Sequence, residues 1–268
     1  MKKNILILGI LLIALSILSF SYTESTDNAE ATLNKPVEKT IAENDEATKK
    51  LEKRIFPNFI YDIGPRFTPI KKSKLDRATS IKDFLSEEEI GHIVSYQFVS
   101  ITVIENDEES NIKENGDTPE LNKAQLALLK NSGYSTHLKI RTEYLHTHQE
   151  TGELEHLNST PHFTVVPEKQ AKYVHGMEQL KDYFTVMTQD ELALADQKKL
   201  MAAKLFFTVT KDGTIENVSL DRSSNYPNVD QKMIELMTEV PGTWKPAENS
   251  QGEKVDQELV VSFGLRGC

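Results

Sequence analysis

Cysteine is nearly missing from this chain. Of 268 residues only Cys268, the last, carries a thiol. No intramolecular disulfide can form, so the folded parts depend on their cores. A crosslink between chains through Cys268 is one reading and an incidental exposed thiol the other; a terminal residue with no supporting shell favours the second. Basic residues are also in deficit, 31 against 41 acidic, for a net charge of −10. That balance excludes nucleic acid as a partner and gives no pull toward an anionic membrane surface. The motifs of common chemistries are missing as well. There is no G-x-S-x-G elbow, no phosphate loop and no G-x-G-x-x-G. Glu87-Glu88-Glu89 and Asp107-Glu108-Glu109 are carboxylate clusters, but they lie in polar runs and read as solvated. No side chain stands out as catalytic, so the expectation is a protein that is not an enzyme and uses no cofactor. His146-Thr147-His148, with His156 and His162 nearby, places two imidazoles on one face of a strand. A third ligand at a diagnostic spacing is lacking, so no metal is expected there.

What is present begins with a targeting segment over residues 1–21. Lys2 and Lys3 precede an apolar run, Ile5–Phe20, and Ser19-Phe20-Ser21 is a small-x-small cleavage pattern. The run is short of the roughly 20 residues that a spanning helix needs. A cleaved signal peptide and an uncleaved inner-membrane anchor both fit. No cysteine follows it, so lipid attachment there is excluded. Either way the body is expected in the periplasm or cell envelope. Residues 22–55 are rich in Glu, Asp, Lys, Thr, Asn and Ala and poor in aromatics. Such a stretch cannot bury enough surface to offset its ordering entropy, so it reads as a flexible tether. Extended, it reaches on the order of 100 Å.

Aromatics then cluster: Phe56, Phe59, Tyr61 and Phe67 mark entry into a folded domain over residues 56–167. Ser80 with Asp83 three residues on predicts a capped short helix. His92–Glu105 is apolar on both faces and predicts a central strand. Asn106–Pro119 reads as an acidic loop. Glu120–Asn131 is an amphipathic helix with Leu121, Ala124, Leu128 and Leu129 inward. Thr136–Leu145, Leu154–Leu157 and Pro161–Val166 read as further strands, the first two joined through Glu150–Glu153. Pro167–Lys172 is the link to a second domain, residues 168–268.

That domain opens with helical stretches, Val174–Phe184 and Thr188–Ala203. Lys204–Thr210 is a strand with Leu205, Phe207 and Val209 on one face. Asp212-Gly213 is a hairpin signal. In Thr214–Asp221 the spacing of Ile215, Val218 and Leu220 slips, which predicts a β-bulge. Asn228 reads as a helix cap ahead of Val229, Met233, Leu236, Met237 and Val240, and Pro241-Gly242 ends the helix. Trp244–Ala247 is extended; Trp244 is either a binding platform or, as the pattern favours, a packing residue. Glu258–Leu265 is the last strand, with Leu259, Val261, Phe263 and Leu265 on one face. The fold class is α+β, with an antiparallel three-stranded sheet and helices in the last domain and a second small α+β domain before it.

The order of these pieces resembles the C-terminal domain of TonB-type energy transducers, in the style seen in Bacteroidetes. The residues that carry the likeness are F-x-V-x-x-D-G-x-I-x-x-V (Phe207–Val218), Ser223-Ser224 with Pro227 and Asp230, P-x-x-W-x-P (Pro241–Pro246), and Gly252, Val255 and Phe263. The likeness covers about the last third of the chain. It implies a protein linking inner-membrane proton-channel motor proteins to an outer-membrane TonB-dependent receptor. A receptor peptide would add a strand to the edge formed by Glu258–Leu265, so that Leu259, Val260, Val261, Ser262, Phe263 and Gly264 are the partner-binding residues. The outward positions would be Val260, Ser262 and Gly264. Two departures weaken the transducing half. The apolar run holds Ser16 and Ser19 but no His, and the tether lacks a Pro- and Lys-rich spacer. The alternative is a periplasmic binding or assembly module without energy transfer. Through TSIKDFL and VSYQFVSITVI, the preceding domain faintly resembles the repeated modules of the gliding-motility and secretion protein GldM.

Overall fold

The computed structural model describes residues 58–148 and 150–265. Residues 1–21 and 22–55, expected to be a targeting segment and a tether, lie outside the described residues, as does Cys268. In chain order the strands are β1 (Phe59–Gly64), β2 (Thr68–Lys71), β3 (Ile93–Glu105), β4 (Glu108–Gly116), β5 (His137–Thr147), β6 (Leu154–Ser159), β7 (His162–Val166), β8 (Lys172–Tyr173), β9 (Ala203–Val209), β10 (Ile215–Arg222), β11 (Trp244–Lys245), β12 (Ala247–Glu248), β13 (Lys254–Val255) and β14 (Gln257–Leu265). The helices are α1 (Lys72–Arg77), α2 (Glu87–Gly91), α3 (Lys123–Asn131), α4 (Met177–Met187), α5 (Gln189–Ala193) and α6 (Pro227–Thr238), with 3-10 turns at Ile81–Phe84 and Gln197–Lys199. The architecture is mixed α+β.

One sheet runs β2-β7-β5-β3-β4, with β6 beside the far end of β5. β3 is interior, between β4 and β5, and Val99–Ile104 are buried on both faces. The acidic stretch expected as a loop is mostly strand β4. Asn106 and Asp107 both take positive φ, 51° and 65°, a conformation that Asn and Asp tolerate, and they fold β4 back as a hairpin on β3. Backbone pairing with an apolar neighbour, not its own side chains, makes β4 a strand. The 3-10 turn at Ile81–Phe84 has the expected Ser80–Asp83 capping box, and Asn122 with Gln125 forms a second one before α3. The core under these helices joins Leu75, Ile81, Phe84, Leu128 and Leu129 to Val99, Ile101, Leu138 and Ile140.

The second sheet runs β1-β14-β9-β10, all antiparallel. It has four strands, not three, and the fourth comes from ahead of the first sheet in sequence. Phe59–Gly64, expected to start the first domain, pairs with β14 instead. The reason is chemical: Tyr61 finds an apolar slot under α4, while β14 offers an unblocked ladder. The bulge predicted in the β9–β10 hairpin is present, with register shifts between Glu216 and Ser219 and between Leu220 and Arg222. Thr210 and Thr214 close the hairpin. Gly213 takes φ +82°, and a Cβ there would lie 2.5 Å from the Trp244 carbonyl oxygen, so glycine is required. Helix α6 starts two residues before expectation: Pro227 takes the first helical position and Tyr226 the cap, instead of Asn228. Asp230, in the first turn, accepts from the Ser224 backbone N–H at 2.9 Å and from the Ser223 hydroxyl.

The second core unites Leu180 and Phe184 of α4, Met233 and Met237 of α6, and Leu205, Phe207, Val261 and Phe263 of the sheet, with Tyr61 of β1. Trp244 is 4% exposed and stacks near Phe207 and Tyr173, with centroids at 5.4 and 5.6 Å. It packs the loop onto the sheet and is not a surface platform. The link Pro167–Lys172 is tied down: Ala171 N–H donates to the buried Gln257 side chain at 2.8 Å, and Lys169 bridges to Glu248.

Candidate strand-acceptor site

β14 holds all six residues expected to bind a partner. Leu259, Val261 and Phe263 face the helical core and are nearly inaccessible. Val260, expected to point to solvent, is only 4% exposed. The sheet face that carries it is covered, so the outward face is not a free surface. On that face the Ser135 hydroxyl accepts from the Glu258 N–H at 3.2 Å, and Arg66 lies 5.0 Å from the Phe206 ring.

The edge expected to be open is occupied. Val260–Phe263 has a strand on each side, β9 and β1. The β1 register runs Phe59 opposite Leu265, Tyr61 opposite Phe263, Ile63 opposite Val261 and Gly64 opposite Val260. The acceptor itself is smooth. It holds no proline and, from Leu259 to Leu265, no charge, which are the usual means of blunting an edge. Gly264 takes φ +146°, and a Cβ there would come within 3.0 Å of Ala202 Cα. Glycine lets the chain before β9 pass closely at that point.

The other end of the sheet, β10, is guarded. Two register shifts, Asn217 at φ +54°, and Glu216, Asp221 and Arg222 bend and charge it.

Tyr61 anchors the added strand. It is 6% exposed, while Phe59 and Ile63 are half-buried and Ile60 and Asp62 exposed. The Thr188 hydroxyl donates to the Phe184 carbonyl at 2.8 Å, which uses its only proton. The Tyr61 hydroxyl therefore donates to Thr188 Oγ1, at 2.5 Å. Its ring meets Phe184 at 5.6 Å and Phe59 at 5.3 Å. Burial pushes the Tyr61 phenol up to about 12. It stays protonated, as a donor must.

Just past β1 a polar knot joins the two sheets. Arg66 is 4% exposed at its side chain, pairs with Asp107 of the β3–β4 turn and lies 3.4 Å from Asp221 of β10. His137 of β5 shares a hydrogen bond with Thr164 at 3.0 Å, sits edge-on to Phe67, and has Nε2 3.8 Å from Glu258. Burial, helped by the Arg66 charge, pushes the imidazole down to about 4. Burial raises the Glu258 carboxyl and lowers the Lys204 ammonium. His137, Glu258 and Lys204 are each disfavoured in the charged form, and with the Arg66 ion pairs they make the knot a structural seam. Nothing in the sequence flagged it, because its members come from β5, β9, β10, β14 and two turns.

His146 and His156 sit on paired strands, and His146 lies against His92 with centroids 5.5 Å apart. Among the described residues no group of three His, Cys, Asp or Glu could hold a metal, and no helix is long and apolar enough to cross a membrane. No protein-family model, curated protein or solved structure matches the chain.

Proposed function

We propose that this protein is a TonB-like cell-envelope module that captures an extended segment of an outer-membrane receptor by strand addition to β14, and that it acts by binding rather than catalysis. One observation carries the reading. The β14 edge takes up a six-residue strand from a part of the chain about 200 positions away, in regular antiparallel register. An edge that accepts one such segment has the backbone geometry to accept another. The order β9, β10, α6, β14 and the packing of Trp244 beneath the sheet support the same reading, since these elements carry the resemblance. The bulged, charged β10 makes β14 the better acceptor.

The second reading, a periplasmic assembly module without energy transfer, is favoured by the apolar N-terminal run, which has no His. Both readings use the same edge, and the mature N-terminus separates them. A protein cut after Ser21 cannot transmit force from the inner membrane, whereas one that retains Ile5–Phe20 can.

Titration of the full chain with peptides from the periplasmic N-terminal segments of outer-membrane receptors, followed by hydrogen exchange, tests the binding itself. Slower exchange within Leu259–Gly264 supports the reading. Protection confined to the sheet of β2–β7 would move the binding site elsewhere and overturn it.

A further inference from the structure

We propose that β1 is a resident strand which the partner replaces, so that the partner segment must itself carry a tyrosine, or a close phenolic equivalent, at the position opposite Phe263. This rests on the strand-addition reading and specifies the ligand. β1 occupies the place where a segment would add, so binding at β14 is an exchange. Three features suit β1 to leave. Among the described residues it is an end strand, with a ladder to β14 alone. Of its side chains only Tyr61 is buried. It also ends at Gly64, ahead of Pro65, and a Cβ on Gly64 would touch nothing within 4 Å, which leaves that position room to turn. Beyond the pivot Arg66 is fixed by Asp107 and Asp221, so peeling from the Phe59 end stops there.

The vacated slot states what can enter. Opposite Phe263 it presents Thr188 Oγ1 as an acceptor, with its own proton committed to Phe184, and the ring of Phe184. A phenol satisfies both; an aliphatic side chain leaves the hydroxyl oxygen unmet. The places of Phe59 and Ile63 are half-buried and take apolar groups. The places of Ile60 and Asp62 are exposed and admit nearly anything. The ligand pattern in β1's own direction is apolar, any, tyrosine, any, apolar.

The chain's own strand supplies the probe: a fluorescent peptide of residues 58–65, measured by anisotropy on the full-length protein. Binding is expected to tighten by about fivefold with Tyr61→Phe in the protein, since one hydrogen bond of the resident strand is lost. It should tighten further with Tyr61→Ala, circular dichroism confirming that both variants are folded. If Tyr61→Ala unfolds the chain, Tyr61→Phe alone decides. A peptide with phenylalanine in place of its tyrosine should bind the Tyr61→Phe protein several-fold more weakly than the natural peptide. Equal peptide affinity for wild type and the Tyr61→Phe variant, or no binding to either, overturns the exchange. Receptor peptides separate this outcome from the wider reading. If they protect β14 while amides of Phe59–Gly64 keep their protection, strand addition stands and the exchange falls. If the chain's own peptide exchanges but no receptor peptide binds, the exchange stands and the receptor reading falls.

Discussion

At the residue scale, three polar side chains carry the testable chemistry: buried Tyr61 and half-buried His137 and Glu258. Tyr61→Phe removes the donor to Thr188 and should cost about 1 kcal/mol in urea denaturation, the ordinary net worth of one hydrogen bond. A cost of zero would mean that the ring alone anchors β1. His137 sets a pH dependence. Its folded pKa, about 4, is below the ordinary 6.5, so between these values the unfolded chain binds more protons. Stability is therefore lost as pH falls from about 6.5 toward 4. With screening by nearby solvent, His137 should account for about 1–2 kcal/mol of that loss. His137→Gln should flatten the curve by this amount relative to wild type. Glu258 works the other way: a raised folded pKa adds stability at low pH that disappears as pH rises. Glu258→Gln is expected to leave neutral-pH stability unchanged or improved. Neither role could be read from the sequence, where His137 is one polar residue at the start of a strand and Glu258 one charge before an apolar run.

At the element scale, the hairpin behaves as its pattern says, while the stretch before it, expected to be helical over Thr188–Ala203, is helix only over Gln189–Ala193 with a 3-10 turn at Gln197–Lys199. Leu205, Phe207 and Val209 alternate inward, and Phe207 is fully buried against Trp244. Phe207→Ala should cost about 3–5 kcal/mol by equilibrium denaturation, the usual penalty for emptying a buried aromatic site. Gly213→Ala meets both a left-handed backbone and the Trp244 carbonyl, and should cost more than about 1 kcal/mol. Where sequence patterns misled, pairing overrode composition. β4 has few apolar residues and reads as a loop, yet its backbone is satisfied by β3. β1 reads as the opening of the first domain, yet its one buried side chain belongs to the last.

At the scale of the whole molecule there are two cores, and β1, which precedes every element of the first in sequence, completes the sheet of the second. A fragment of residues 168–265 would keep α4, the hairpin, α6 and β14 but lose Tyr61. It should fold with a lower melting temperature than the full chain, and adding the peptide of residues 58–65 should restore part of the difference. It should also self-associate, because β14 then presents an unblurred apolar edge. A fragment as stable as the whole chain, and monomeric, would show that β1 contributes nothing to the second sheet.

The sequence by itself determined the α+β class, the central strand β3, the capped turn at Ser80, the bulged hairpin around Gly213 and the inward face of β14. All of these rest on local periodicity, caps and turn residues, which act within a few positions of the chain. The tertiary structure alone decided that β14 is interior between Val260 and Phe263, that Val260 is covered, and that Arg66, His137, Asp221 and Glu258 share one seam. Those facts depend on which distant segments meet. A ladder offers the same N–H and C=O groups to any partner strand, so backbone chemistry does not name its neighbour; the choice of β1 was made by the slot beneath Tyr61, which exists only once α4, β9 and β14 have packed.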